Sequence, residues 1–175
     1  MRGYIVHYPG YCRTTTVALP TVTLLLNSMV STSGAIYMTL DIKDFYVNTP
    51  MKRSEYIPMK LSDLPEDFIK QYKLAAKTTK DTYAYIKSYK VMYVLPPSGI
   101  LAHMFLDQHL NEKGYRQSSL TPGYWKHDWQ PISFTLFVDD FGVTYVVKEH
   151  AKHLLTRLNN TTSYQNIGMR QDTWV

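Results

Sequence analysis

The stretch FTLFVDDFGVTY (134–145) limits the possible folds more than any other feature, because it joins two strand-like runs through a pair of carboxylates. The runs 134–138 and 143–147 are rich in β-branched and aromatic residues, which favour strands. Asp139 and Asp140 lie between them. Aspartate is depleted in strands and costly to bury unpaired. The stretch therefore predicts a β-hairpin that holds both carboxylates in its turn.

The composition is typical of one globular domain. The chain has 175 residues, of which 45% are hydrophobic and 19% charged. A net charge of +5 permits a polyanionic partner without requiring one. The single cysteine, Cys12, excludes an internal disulfide and favours a reducing compartment. The most apolar stretch, 22–30, is too short to span a bilayer, so we expect an intracellular protein with no membrane partner.

The hydrophobic pattern predicts an ordered series of helices and strands. We predict helices over 22–29, 62–74, 100–113 and 149–159, and strands over 36–42 and 82–89 in addition to the hairpin. Residues 48–50 are predicted to form a turn after the first strand. An antiparallel sheet covered by helices on one face satisfies this order. The predicted fold class is therefore α+β.

A third carboxylate, Asp41, lies inside or at the end of the predicted strand 36–42. If this strand and the hairpin are neighbours in one sheet, Asp41 converges with Asp139 and Asp140. Such a cluster raises its own pKa values unless a cation neutralises it, and Mg²⁺ prefers oxygen ligands. Two ions about 4 Å apart stabilise both the attacking and the leaving oxygen of an in-line phosphoryl transfer. Taken alone, however, an Asp-Asp pair at a hairpin is more often a solvated turn.

Two further groups of residues have a functional and a structural interpretation. In YAYIKSYK (83–90), aromatic residues alternate with Lys87 and lie near Lys90, a pattern that can stack bases and neutralise phosphates. The structural alternative is an exposed strand face with ordinary lysines. His150 and His153 share a helix face without a third ligand, which indicates a surface position rather than a metal site.

Four segments resemble, in the same order, motifs of the reverse transcriptases of LTR retrotransposons of the copia and gypsy type. LDIKDFY (40–46) resembles the first palm motif, and FVDD (137–140) resembles the aromatic-x-Asp-Asp signature of a palm hairpin. MYVLPPSGILA (92–102) and KGYRQS…PGYWKH (113–127) resemble the segments between those two motifs. Together they cover about residues 35–160.

The resemblance implies a right-hand polymerase palm with fingers elements over 35–160, a partial fingers remnant over 1–34, no thumb, and a tail or truncated next segment over 161–175. It implies RNA-directed DNA polymerase activity, in which dNTPs are added to a primer 3′-OH on an RNA or DNA template. The place of action would be a retroelement particle in the cytoplasm, or the nucleus. Ribonuclease H and integrase domains would belong to the parent polyprotein.

The resemblance also implies the metal ligands. Asp41, Asp139 and Asp140 would be the catalytic residues and would bind two Mg²⁺ ions, with the backbone carbonyl of Ile42 assisting and Mn²⁺ as an alternative metal. In the family, the residue at Asp140 contributes less direct ligation than the other two.

The nucleotide pocket is implied to include Tyr46, Pro97 and Ser98. Tyr46 occupies the position of an aromatic gate against the ribose 2′-hydroxyl, although a core or turn aromatic is the alternative. Pro97 stands where the family has a glutamine, and proline has neither a side-chain amide nor a backbone N–H. Val94 replaces a glycine, and Arg2 is the one counterpart of the upstream basic residues that grip the triphosphate. These departures leave open a catalytically inactive remnant that binds nucleic acid, or a chain that does not fold stably.

Overall fold

The computed structural model describes residues 14, 16–78, 82–93, 95 and 97–159. In this part of the chain the helices are α1 (Leu19–Val30), α2 (Phe45–Asn48), α3 (Glu66–Tyr72), α4 (Ser98–Glu112) and α5 (Lys148–Asn159), with 3₁₀ turns at Leu61–Asp63 and Leu74–Lys77. The strands are β1 (Ile36–Asp41), β2 (Pro50–Lys60), β3 (Tyr83–Lys90), β4 (Tyr115–Gln117), β5 (Tyr124–His127), β6 (Ile132–Phe137) and β7 (Asp140–Tyr145). The sequence predictions for Arg2, Cys12, Val94 and 161–175 lie outside the described residues.

The strands form two antiparallel sheets. The larger sheet has the order β1-β7-β6-β5-β4, and the smaller one pairs β2 with β3. The predicted hairpin is confirmed as β6 and β7, and the first predicted strand is confirmed as β1, its direct neighbour. The α+β class is therefore confirmed, with antiparallel sheets.

The core fills one face of the larger sheet. Alternation along β1 and β7 points Leu40 and Phe141 into this face, because successive side chains of a strand point to opposite sides. The helices α4 and α5 cover it with Ala102, Leu106, Leu110, Ala151, Leu154 and Leu158. These apolar positions recur at the spacing of one helix face, which explains why both helices were predictable from the sequence.

The opposite face of the sheet is also partly covered. Helix α1 contacts β1, β6 and β7, and its buried Leu25 does not belong to the core cluster under α4 and α5. Thr135 and Thr144 point to this second face and are nevertheless buried. The expectation of helices on one face alone is therefore wrong: helices lie on both faces, and the ends of β1 and β7 near the hairpin turn remain open.

Three strands escaped sequence prediction. The predicted turn at 48–50 is instead the end of the short helix α2 and the start of β2. Strand β2 contains two prolines and several charged residues, so it lacks the simple alternation that identifies a half-buried strand. Strands β4 and β5 have only three and four residues, too few for a period to emerge.

No helix among the described residues is long and apolar enough to cross a membrane.

Candidate active site

Asp41 and Asp140 lie directly opposite each other at the open ends of β1 and β7. Residues opposite each other in an antiparallel pair share a face, with Cβ atoms about 5 Å apart. Both side chains are exposed. The sequence prediction placed Asp140 in the hairpin turn, and this was wrong: Asp140 is the first residue of β7, paired with Phe137 on its other side. The pairing of β6 with β7 therefore extends one residue further towards the turn than the sequence prediction, which placed both aspartates in the turn.

Asp139 lies in the two-residue turn that joins β6 to β7. The other turn residue, Val138, has a φ of 61°, which two-residue hairpins demand but a β-branched side chain rarely adopts. Backbone strain of this kind persists only where the surrounding structure enforces it, and it concentrates at functional sites. Here the paired strands on both sides enforce it, so the turn presents Asp139 in a fixed position.

The electrostatic environment of Asp139 disfavours its ionised form. Burial is the main cause of its raised pKa, and the negative charges of Asp140 and Asp41 add to it, although a backbone hydrogen bond opposes them. The three carboxylates therefore lie within electrostatic range of one another. Without a counter-cation, their mutual repulsion opposes the fold.

A backbone hydrogen bond links the two carboxylate-bearing segments. The N–H of Ile42 donates to the carbonyl oxygen of Asp139 across 3.2 Å, and the Ile42 side chain is buried in the core. The chain just after Asp41 is thereby held against the hairpin turn. This contact places the backbone of Ile42 beside the turn residue Asp139, and the part of the Ile42 carbonyl oxygen in metal binding stays a prediction.

The donor set suits a hard divalent cation. Carboxylate oxygens, supplemented by a carbonyl, are the ligands that Mg²⁺ takes in proteins. In their present orientations, no three His, Cys, Asp or Glu side chains of the described ranges are grouped as a metal-binding cluster. The side chains of Asp41 and Asp140 are exposed, and exposed side chains change rotamer within nanoseconds. Metal binding would therefore require these side chains to rotate towards one another.

Tyr46 on α2 lies beside the carboxylates. Burial raises the pKa of its phenol most, and the negative charge of Asp139 raises that pKa further. Its ring centroid is 5.3 Å from that of Phe45, which anchors α2 in the core, and 4.6 Å from that of Tyr93. Tyr93 is an exposed residue that sequence reasoning missed, since its only signal was its place in the segment 92–102. Tyr46 thus lies beside the carboxylate group, and Tyr93 packs against it with its ring tilted by 57°.

Pro97 and Ser98 have structural partners at the start of α4. Pro97 is buried, precedes the helix, and accepts the N–H of Leu101 at its carbonyl oxygen across 3.0 Å. The hydroxyl of buried Ser98 lies within hydrogen-bond distance of the carbonyl oxygens of Met92 and Leu95. Ser98 therefore holds the loop before α4 together, and its contact with a nucleotide stays a prediction.

The two predicted nucleic-acid-binding lysines lie on opposite faces of β3. Lys87 and Lys90 are three residues apart, and a strand alternates its side chains. Lys87 pairs with Tyr56 on β2, whereas Lys90 pairs with Pro50. The structure therefore separates the two residues, and a single surface of this hairpin can use only one of them.

A second polar cluster joins β5 to α5. The Nδ1 of His127 accepts the backbone N–H groups of Trp129 and Gln130 at 3.3 and 3.2 Å. His153 is hydrogen-bonded through Nδ1 to the hydroxyl of buried Tyr115 at 2.9 Å. The surface position expected for His150 and His153 is wrong, because both are half-buried where α5 packs on the sheet. The hydrogen bond of His153 to Tyr115 joins α5 to the sheet.

No protein-family model matches the chain, and no curated protein or solved structure is significantly similar to it. The likeness to reverse transcriptases therefore rests on the quoted motifs.

Proposed function

We propose that residues 35–160 form a reverse-transcriptase palm that transfers deoxynucleotides to a primer 3′-OH on an RNA or DNA template. One observation carries this proposal: Asp41 and Asp140 are direct strand partners, with Asp139 beside them in the hairpin turn. The likeness of LDIKDFY and FVDD to palm motifs requires these two segments to be neighbours, although they are almost 100 residues apart in the sequence. Antiparallel pairing of β1 with β7 meets that requirement.

The residues of the chain would contribute to the reaction by binding the metal ions and by holding the metal ligands in position. Asp41, Asp139 and Asp140, with the carbonyl of Ile42, would hold two Mg²⁺ ions, or Mn²⁺ in their place. Bound there, the ions would neutralise charge on the attacking 3′-oxygen and on the leaving pyrophosphate. The pairing of β1 with β7 fixes the spacing of Asp41 and Asp140, and the strained turn fixes Asp139. Positioning of this kind is the main contribution that a protein makes to phosphoryl transfer.

Tyr46 would act on the sugar of the incoming nucleotide. Its ring contacts the rings of both Phe45 and Tyr93, and the charge of Asp139 acts on its phenol, so we expect the ring to keep its place beside a nucleotide held by the metal ions. A ribose 2′-hydroxyl would collide with a ring fixed there, whereas deoxyribose would fit.

The proposal is tested by Mg²⁺-dependent incorporation of dNTPs on a primed RNA template. We expect the double variant Asp139→Asn, Asp140→Asn to lose incorporation by at least about a thousandfold, because the site loses both charges that hold the metal. Asp67→Asn is the matched control: it makes the same change at an exposed position of α3. Incorporation that survives the double substitution would exclude the assignment.

Metal binding can be measured without nucleic acid. Titration of Mn²⁺ into the protein, followed by electron paramagnetic resonance, reports bound metal directly. We expect the wild type and Asp67→Asn to bind Mn²⁺ with the same affinity and the double variant to bind it at least tenfold more weakly. Equal binding by all three proteins would mean that these carboxylates are not the metal ligands, whatever the activity of the chain.

A second candidate function is nucleic-acid binding without catalysis. The observation that favours it is the start of α4, where Pro97 lacks the amide found in the family and the Ser98 hydroxyl faces backbone carbonyls. This candidate predicts that the protein binds a primer–template in a salt-sensitive way, incorporates no nucleotide, and binds equally well after the aspartate substitutions.

A cooperative thermal melt would exclude the third alternative, a chain that does not fold stably.

A further inference from the structure

On one face of the β2–β3 pair, the residues in regular register carry aromatic, proline and lysine side chains. Alternation along β3 places every second residue on this face, and the strand register adds their partners on β2. The cross-strand pairs of this face are Tyr83 with Lys60, Tyr85 with Pro58, and Lys87 with Tyr56, and Tyr89 extends it along β3. We call this set of residues the tyrosine face.

The rings of the tyrosine face are open to solvent. Tyr56 and Tyr85 are each 59% exposed, and Tyr89 is 65% exposed. By contrast, Ala84 on the other face of β3 is buried, so the pair rests on that other face and leaves the tyrosines outward. Aromatic side chains that cluster at the surface, rather than occurring singly, mark interaction sites. The tyrosine face is therefore a candidate binding surface.

The charge of the tyrosine face is positive. The Nζ of Lys87 lies 5.0 Å from the ring centroid of Tyr89 and 5.9 Å from that of Tyr56, and Lys60 Nζ lies 5.8 Å from that of Tyr83. The one acidic residue of β2, Glu55, pairs with Ser88 and so belongs to the opposite face. Strand β3 contains no acidic residue. The ligand of this face should therefore combine negative charge with flat groups that can stack.

We propose that the tyrosine face binds single-stranded nucleic acid, with bases stacked on the rings of Tyr56, Tyr85 and Tyr89 and phosphates paired with Lys87. Single strands offer unpaired base faces beside phosphates, which matches rings interleaved with lysine, whereas a duplex hides its base faces. Successive side chains on one face of a β-strand are about 7 Å apart. A nucleic-acid strand that lies along β3 would therefore contact the ring of Tyr85, the ammonium group of Lys87 and the ring of Tyr89 in turn. None of these residues belongs to the carboxylate site, so this binding does not depend on polymerase activity.

Fluorescence anisotropy with a labelled oligouridylate, in EDTA to exclude metal-dependent binding, tests the proposal. We expect Tyr85→Leu and Tyr89→Leu each to weaken binding at least about fivefold, because stacking on a tyrosine contributes about 1 kcal/mol or more per base. Tyr85→Phe and Tyr89→Phe keep the ring and should bind like the wild type. Lys87→Gln should reduce the slope of log affinity against log salt by about 0.7.

Lys90→Gln is the matched control for Lys87→Gln, because it removes the same charge from the same strand on the opposite face. It should leave both affinity and salt slope nearly unchanged, and thermal melts should show that every variant is folded. Equal losses from the two lysine variants, or unchanged binding by the folded leucine variants, would overturn the proposal. So would tighter binding of a duplex, or of a polyglutamate peptide, than of the single strand. Loss of polymerase activity in the aspartate variants with retained oligouridylate binding would leave this proposal standing on its own.

Discussion

Asp140 on β7 stands directly opposite Asp41 on β1, at the point where both strands reach the hairpin turn. Like charges opposite each other on one face of a sheet are destabilising. Asp139 lies beside them, and its pKa is raised. Burial is the main cause of this rise, and the charges of Asp140 and Asp41 add to it. The fold therefore maintains an electrostatic repulsion at the end of its larger sheet, and a divalent cation would relieve it.

Asp139→Asn should stabilise the metal-free protein at neutral pH. A carboxylate whose pKa is raised in the folded state contributes stability below its ordinary value of 3.8 and loses that contribution as pH rises through the folded value. Asparagine has no such loss. Because the group is partly solvated, we expect a gain of about 0.3 to 1 kcal/mol at pH 7, or about 1 to 3 °C in Tm, that disappears below the ordinary pKa. Thermal melts in EDTA at both pH values measure it.

Two controls separate this effect from a general gain. Mg²⁺ should raise the Tm of the wild type and abolish the advantage of Asp139→Asn, because the cation needs the charge that asparagine lacks. Asp67→Asn, on the exposed surface of α3, should show no gain. A lower Tm for Asp139→Asn at pH 7 would contradict the electrostatic account.

Gly142→Ala should destabilise the protein through a contact with Tyr37. A Cβ at Gly142 would overlap the Tyr37 hydroxyl and lie 3.0 Å from the Thr135 hydroxyl. We expect a cost of about 1 to 3 kcal/mol, because added atoms in a packed region force neighbours to shift. Tyr37→Phe removes the obstructing oxygen, so the double variant should recover at least half of the loss. Additive losses in chemical unfolding would mean that the Tyr37 hydroxyl does not cause the effect.

Tyr46→Ala should relax sugar selection if the proposed polymerase activity is present. Removal of the ring opens the space beside the carboxylates, so we expect discrimination against ribonucleotides, as a ratio of kcat/KM values, to fall at least about tenfold. Tyr46→Phe keeps the ring, which packs on Phe45 and Tyr93, and should discriminate like the wild type. Parallel single-nucleotide incorporation assays with dNTP and rNTP give both ratios. An unchanged ratio in Tyr46→Ala would assign the ring a packing role only.

The sequence predicted the parts of the fold that bury continuous apolar surface. Strand β1, the β6–β7 hairpin and helices α4 and α5 follow hydrophobic periods, and all are present close to their expected bounds. Strand β2 was missed because charged residues and prolines interrupt its sequence, so its hydrophobic residues do not alternate regularly. Its pairing with β3 could not be read from this local pattern. Helix α1 was predicted, but its position on the second face of the sheet was not, because α1 buries only Leu25 fully and so shows no clear apolar face.

The candidate site was predictable only in its residue types. Aspartate at the ends of apolar strands indicated Asp41 and Asp139, but strand pairing between distant segments decides which carboxylates meet. The proximity of Tyr93 to Tyr46, and the separation of Lys87 from Lys90, depend on loop geometry and strand faces. The sequence spacing of His153 indicated a surface position. Its contact with buried Tyr115 could not be predicted, because Tyr115 belongs to a strand of only three residues.

His127 should make the stability of the protein depend on pH below neutrality. Burial is the main cause of its lowered pKa, and its unprotonated Nδ1 accepts two backbone N–H groups, from Trp129 and Gln130. A histidine with a lowered pKa contributes stability above its ordinary value of 6.5 and loses it as pH falls through the folded value. Because part of the ring is solvated, we expect urea unfolding to show a loss of up to about 1 kcal/mol between pH 7 and pH 5.

Substitutions at His127 separate this titration from other acid effects. His127→Asn keeps an acceptor oxygen near the position of Nδ1 and cannot be protonated, so its stability should change less than that of the wild type between the two pH values. His127→Ala leaves both backbone donors unpaired and should cost about 2 to 4 kcal/mol at pH 7. Because His153 also has a lowered pKa, mainly through burial, some pH dependence should persist in both variants. An undiminished pH dependence in His127→Asn would assign the acid sensitivity to His153 instead.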